Sequence, residues 1–137
     1  MLKVLIADDE EKICQLIIKL INWEEMGLKI AATASNGIEA LEQAEICKPE
    51  ILITDIRMPG IDGMELIRKV KEKLPDTEII IISGYRHFEY AQTAIRYGVR
   101  NYLLKPIKKE ELRDTLQKIA DIYREKNEQL NFEERVR

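Results

Sequence analysis

A chain of 137 residues with 45% hydrophobic and 34% charged content holds enough apolar material for one core and little for a second. Its net charge of −3 excludes the strongly basic balance of a polyanion-binding chain. Cys14 and Cys47 lie far apart with no C-x-x-C, and the single histidine, His87, excludes the usual His-rich zinc sites, so both thiols are read as reduced and structural. The chain opens on a strand pattern rather than a basic stretch and long apolar core, and no apolar run approaches the roughly 18 residues of a membrane span. A soluble cytoplasmic protein is expected.

Strand-like and helix-like patterns then alternate five times. Val4–Ala7 is a short continuous apolar run, followed by Ile13, Leu16, Ile17, Leu20 and Ile21 at helical spacing. Ile30–Ala34 alternates more, as an edge strand does, and precedes the helical set Ile38, Leu41 and Ala44. Ile51–Thr54 leads to Met64, Ile67 and Val70, and Ile79–Ile82 leads to Phe88, Ala91 and Ile95. Tyr102–Leu104 is a short last strand before Leu112, Leu116 and Ile119. Breakers separate the elements: Gly27, Pro49, Pro59-Gly60, Pro75, Gly84 and Gly98. Continuous β-branched runs suit parallel strands covered on both faces, and each helix is long enough for a right-handed crossover. The expected fold is α/β, a (βα)₅ doubly wound parallel sheet of strand order 2-1-3-4-5, flavodoxin-like.

Three carboxylates end two of these strands: Asp8 and Asp9 after Val4–Ala7, and Asp55 after Ile51–Thr54. Open α/β sheets bind their ligands at that edge. Adjacent central strands would gather the three within a few ångströms, where they repel one another unless a proton or a hard divalent cation intervenes. Mg²⁺, which takes few carboxylates together with waters and phosphate, fits such a cluster. Metal-assisted phosphate chemistry on an aspartate is the expected function class.

The residues carry a resemblance. Val-Leu-Ile-Ala-Asp8-Asp9-Glu10, Asp55-Ile-Arg-Met-Pro-Gly-Ile-Asp-Gly63, Ile-Ser83-Gly and Tyr102-Leu-Leu-Lys105-Pro106 resemble the receiver domain of two-component response regulators, over roughly residues 2 to 120. The stretch Ser83-Gly-Tyr-Arg-His-Phe-Glu-Tyr-Ala91, with Ala94-Ile95 and Gly98-Val99, further resembles receivers joined to an AraC-type helix-turn-helix output. The resemblance implies that Asp55 accepts a phosphoryl group from a histidine kinase, with Lys105 and Ser83 contacting that group. It implies Mg²⁺ held by Asp8, Asp9, Asp55 and the backbone carbonyl of Arg57. Ser83 and Tyr102 are the implied switch pair, and the Lys105–Pro106 peptide bond is implied to be cis. Arg57 and Tyr85, each two residues after a site residue, are implied to tune water access to the acyl phosphate.

Each residue also has a plainer reading. Asp8 or Asp9 could cap the first helix, Asp55 could open a turn before Pro59-Gly60, and Ser83-Gly84 is a common turn pair. Lys105 could be a solvated charge and Pro106 a helix start. Glu10, His87 and Glu89 are read as facing solvent, and Tyr90, Ala94 and Tyr97 as a second stripe, half packing and half partner surface. Two other function classes compete. A haloacid-dehalogenase-like phosphatase needs Asp-x-Asp after the first strand, and Asp8-Asp9-Glu10 lacks that spacing. A flavin carrier needs a Ser/Thr/Gly-rich loop where this chain has acidic residues that repel phosphate.

Residues 108 to 130 read as one long polar helix in which Leu112, Leu116, Ile119, Tyr123, Lys126 and Leu130 form a heptad seam. Either Leu112 to Ile119 pack on the sheet and the rest is solvated linker, or the seam pairs two receivers. The expected organisation is a receiver at 1–120 and a helical extension at 121–137, leading towards an absent output domain; a stand-alone receiver is the alternative. Expected partners are a sensor histidine kinase and a second copy of the chain, through the fourth helix, fifth strand, fifth helix and the tail. DNA would be reached only through the absent domain.

Overall fold

A computed structural model describes residues 1–84, 88–99 and 101–136, with backbone alone for Phe88, Tyr90 and 134–136; Tyr85 and His87 lie outside the described residues. The elements run β1 (Leu2–Ala7), α1 (Glu11–Leu20), β2 (Leu28–Ala34), α2 (Gly37–Cys47), β3 (Ile51–Thr54), α3 (Gly63–Lys73), β4 (Glu78–Ser83), α4 (Phe88–Arg96), β5 (Asn101–Leu104) and α5 (Lys109–Val136). All four strand pairings are parallel and the order is β2-β1-β3-β4-β5. β1 and β2 start two residues before their apolar runs, because a parallel ladder needs only backbone groups and so takes in Lys3 and Lys29.

The central strands are apolar on both faces, and alternate side chains feed two cores. Val4, Ile6, Ile51, Ile53, Ile80 and Ile82 point to one side, where Cys14 and Ile17 of α1 and Leu112, Leu116 and Ile119 of α5 cover them. Leu5, Leu52, Ile79 and Ile81 point to the other, under Ala40 and Ala44 of α2, Leu66, Ile67 and Val70 of α3, and Ala94 of α4. Each fully buried Leu or Ile contributes about 1.5–3 kcal/mol, so the fully buried side chains of β1, β3 and β4 supply a large share of the apolar stabilisation.

Three helices differ from the face expected of them; in α2, Ile38 is 53% exposed while Ala40 and Ala44 are buried. In α4, Ile95 is 69% exposed while Ala94 is buried in the core, so Ala94 rather than Ile95 faces inward. The small alanine takes the inner position, and the larger isoleucine turns outward. In α1, Leu16 is exposed between the buried Cys14 and Ile17.

Helix α5 runs unbroken past residue 120 and past the 108–130 span read from sequence. Tyr123 still packs on the core, its hydroxyl at the backbone oxygens of Glu50 (3.2 Å) and Asp76. Beyond it, Lys126 lies over the Tyr123 ring, and Leu130 and Phe132 are exposed. Among the described residues, no helix is long and apolar enough to cross a membrane.

Candidate functional site

The cluster is a consequence of register. Ala7 of β1 pairs with Thr54 of β3, so the residues that follow, Asp8 and Asp55, leave the sheet side by side. The Asp55 N–H donates to the Ala7 carbonyl at 3.0 Å, and the Asp8 N–H to the Ala34 carbonyl at 3.0 Å. Asp8, Asp9 and Asp55 each present a carboxylate oxygen within 4.8 Å of the others. Asp8 and Asp55 are buried and Asp9 is exposed.

Neither Asp8 nor Asp9 caps α1. The N-cap position is Glu10, whose side chain makes no cap bond, and Asp8 Oδ1 instead accepts the Glu10 N–H at 2.9 Å. Asp55 Oδ1 accepts the Ile56 N–H at 2.7 Å, which leaves Oδ2 directed to Lys105.

Lys105 follows β5 at the far side of β4, where its N–H donates to the Ser83 carbonyl at 2.8 Å. Its ammonium reaches Asp55 Oδ2 at 3.0 Å, Asp8 Oδ2 at 3.2 Å and Glu10 Oε1 at 3.8 Å. The cluster is therefore not left to self-repulsion, as the sequence alone suggested, because a lysine from the other end of the chain bridges two of its members. Glu10, read as solvent-facing, is exposed and also borders this ammonium. Burial and the neighbouring Asp55 charge hold the Asp8 carboxyl above its ordinary pKa, against the Glu10 N–H and Lys105. Burial acts to lower the Lys105 pKa, but hydrogen bonds and charge from Asp55 and Asp8 outweigh it and the net shift is upward.

Asp9, Glu10, Asp55, Arg57, Gly84 and Lys105 line an open cleft of about 450 Å³. Ser83 is fully buried behind it, paired in register with Leu104. Tyr102 is half-buried in β5 and packs on the α2–α3–α4 core. The Lys105–Pro106 peptide bond is cis. The donor set suits a hard divalent cation: three carboxylates facing one ammonium leave excess negative charge, and the exposed Asp9 side leaves room for waters.

This geometry has relatives. Residues 4–117 match the family model described as the response regulator receiver domain. The chain belongs to the response regulator receiver domain family, a module of two-component systems. It is 40% identical over 139 residues to the transcriptional regulatory protein YesN of Bacillus subtilis, covering 97% of this chain and 38% of that protein. It is 40% identical over 107 residues to the transcriptional regulatory protein HptR of Staphylococcus aureus, covering 78% of this chain and 42% of that one. The chain thus spans about two fifths of these relatives. Among solved structures, the REC domain of AraT from Geobacillus stearothermophilus superposes with a TM-score of 0.87 at 41% identity, over 92% of this chain and 98% of that one. A two-component transcriptional regulator AraC from Clostridium phytofermentans gives 0.82 at 36% identity, over 88% and 94%.

Proposed function

We propose that this receiver is a phosphorylation-controlled switch, in which Asp55 accepts a phosphoryl group from the phosphohistidine of a sensor kinase. The observation that carries the reading is the buried Asp55 carboxylate, held among Asp8, Asp9 and the Lys105 ammonium at the mouth of an open cleft. Asp8, Asp9, Asp55 and the Arg57 carbonyl would hold Mg²⁺, which when bound neutralises the charge that gathers on the transferring phosphoryl oxygens. The Asp55 oxygen bonds to phosphorus as the phosphorus–nitrogen bond to the kinase histidine breaks, and the freed imidazole nitrogen keeps the electron pair. Lys105 exchanges one carboxylate partner for a phosphoryl oxygen, supplying a point charge. The same cleft admits water, so the only other chemistry is loss of phosphate from Asp55; the chain is a signalling module rather than an enzyme with an outside substrate.

The output reading is supported by the places of Ser83, fully buried at the end of β4, and Tyr102, half-buried in the neighbouring β5. A phosphoryl oxygen that draws in the Ser83 hydroxyl favours an inward Tyr102, and this changes the surface of α4, β5 and α5. Ile95 and Tyr97 supply apolar area there for a second copy, and the α5 seam extends it. In a longer protein of the YesN or HptR kind, that change would control a DNA-binding part beyond residue 137, and the module would work in the cytoplasm. Intact-mass measurement with a small phosphodonor tests the core of the proposal. One phosphoryl group is expected with Mg²⁺ and none in excess chelator or in Asp55→Asn; full labelling of Asp55→Asn would overturn the assignment.

A further inference from the structure

The loop from Asp55 to Asp62 carries both the phosphoacceptor and Arg57, and it is gripped from two sides by glycines with no room for a side chain. A Cβ on Gly63 would lie 2.0 Å from the Asp55 carbonyl oxygen, and the Gly63 N–H donates to the Ile56 carbonyl at 2.6 Å. Those contacts close the loop on itself. The second grip comes from outside it. A Cβ on Gly37, the first residue of α2, would lie 1.9 Å from the Ile61 carbonyl oxygen and 2.5 Å from Ile61 Cγ1. The Gly37 N–H donates to the Pro59 carbonyl at 3.4 Å, and the next side chain, Ile38, rests against Gly60, whose added Cβ would be 3.1 Å from Ile38 Cδ1. Three successive loop residues, 59 to 61, therefore bear on the first turn of α2. That turn is itself fixed by Asn36, whose side chain accepts the Glu39 N–H at 2.8 Å.

Resting on the reading of the cleft as a Mg²⁺-dependent phosphoryl acceptor, we infer that Gly37 is a positioning residue for it: α2 seats the 55–62 loop so that the Arg57 backbone stands level with Asp8, Asp9 and Asp55. Gly37 touches neither ion nor phosphoryl group and acts through Ile61 and Pro59. The first residue of a helix can be almost anything, and Gly is a poor helix former, so local helix preference does not explain it. The close approach of two backbones does. A methyl group at this position cannot be absorbed by a flexible side chain, because the atom it meets is a backbone oxygen. The loop must move by more than an ångström or α2 must tilt away.

The test is a Mg²⁺ titration of the full chain, followed by the backbone amide signals of residues 56–61, with a thermal melt of each protein. Gly37→Ala is compared with Ala44→Gly, which loosens α2 at a buried position two turns further along the helix. Both variants are expected to melt earlier. Only Gly37→Ala should shift the metal-free loop signals and weaken Mg²⁺ binding, by about 10- to 100-fold, as loss of outer support does at metal sites. A folded Gly37→Ala that binds Mg²⁺ as wild type does overturns the inference, as does equal weakening by Ala44→Gly. Should Gly37→Ala not fold, Ile38→Ala takes its place: Ile38 is half exposed, so the fold survives its truncation. A several-fold weaker affinity is then expected and an unchanged one is fatal. Wild type that binds no Mg²⁺ overturns the reading of the cleft itself, which separates the two failures.

Discussion

Lys105 Nζ lies 3.0 Å from Asp55 Oδ2, on a side chain that is largely buried, and the same ammonium reaches Asp8 Oδ2 at 3.2 Å. One cation thus ties the ends of β1 and β3 to the end of β5, across the intervening β4. It offsets part of the carboxylates' negative charge, as a bound metal would.

Lys105→Ala is therefore expected to lower the metal-free stability by roughly 1–3 kcal/mol, because two buried carboxylates lose a charged donor. Added Mg²⁺ should raise the melting temperature of this variant more than that of wild type, since the ammonium no longer offsets that charge. Equal gains by scanning calorimetry would show that the bridge and the metal use different oxygens.

Asp9 is the exposed member of the cluster and lies outside the Lys105 bridge. Asp9→Asn should melt no lower than wild type without metal, because it removes a charge that the fold does not use. It should lose most of the stabilisation from Mg²⁺, which for wild type approaches about 2.7 kcal/mol at a hundredfold excess over Kd. A variant that melts well below wild type in chelator would mark Asp9 as a structural anchor instead.

Tyr123 gives a test that is independent of the cleft. Burial, with the charges of Glu78, Glu50 and Asp76, pushes its phenol up to about 12, from an ordinary value near 10. A raised folded-state value means that this group's contribution is complete below pH about 10 and is lost as pH climbs towards 12. Ultraviolet titration should show one phenol ionising last, and Tyr123→Phe should remove that step. The variant should also lose about 0.5–1.5 kcal/mol and exchange the amides of 121–136 faster.

The output surface is testable with a beryllofluoride mimic of the acyl phosphate. Sedimentation at about 100 µM, where contacts of roughly −5.5 kcal/mol become visible, should show greater self-association with the mimic than without it. Ser83→Ala should blunt that response and leave Asp55 able to accept phosphate. An unchanged mass in wild type would remove the α4–β5–α5 face as the output.

Strand order and the meeting of Asp8, Asp9 and Asp55 were legible because they depend on apolar runs and on which residues end them. Ile51–Thr54 is a strand by composition alone, and its last residue places Asp55 without further information. The bridge to Lys105 was harder to read, since it joins residues 97 apart and depends on where a flexible side chain settles. Helix faces failed where a small residue took the inner position. Spacing alone cannot tell Ala94 from Ile95, because both belong to apolar sets at helical spacing and only packing decides which set faces inward. Gly37 left no signal beyond its presence, as the atom it accommodates belongs to a backbone 24 residues further along, at Ile61.

Among the described residues, Tyr123 is the last side chain of α5 packed on the core, and the helix runs on from there to Val136. At 1.5 Å per residue this stretch is roughly 20 Å long. Its pivot rests on Glu50 and Asp76, which lie just ahead of β3 and β4, the strands that end at the Asp55 and Ser83 positions. The arrangement is a lever. A tilt of about ten degrees at the pivot carries the tip, with Leu130 and Phe132 along the way, through roughly 3.5 Å. A small tilt at the pivot would thus be magnified along the helix into a displacement as large as an atomic contact.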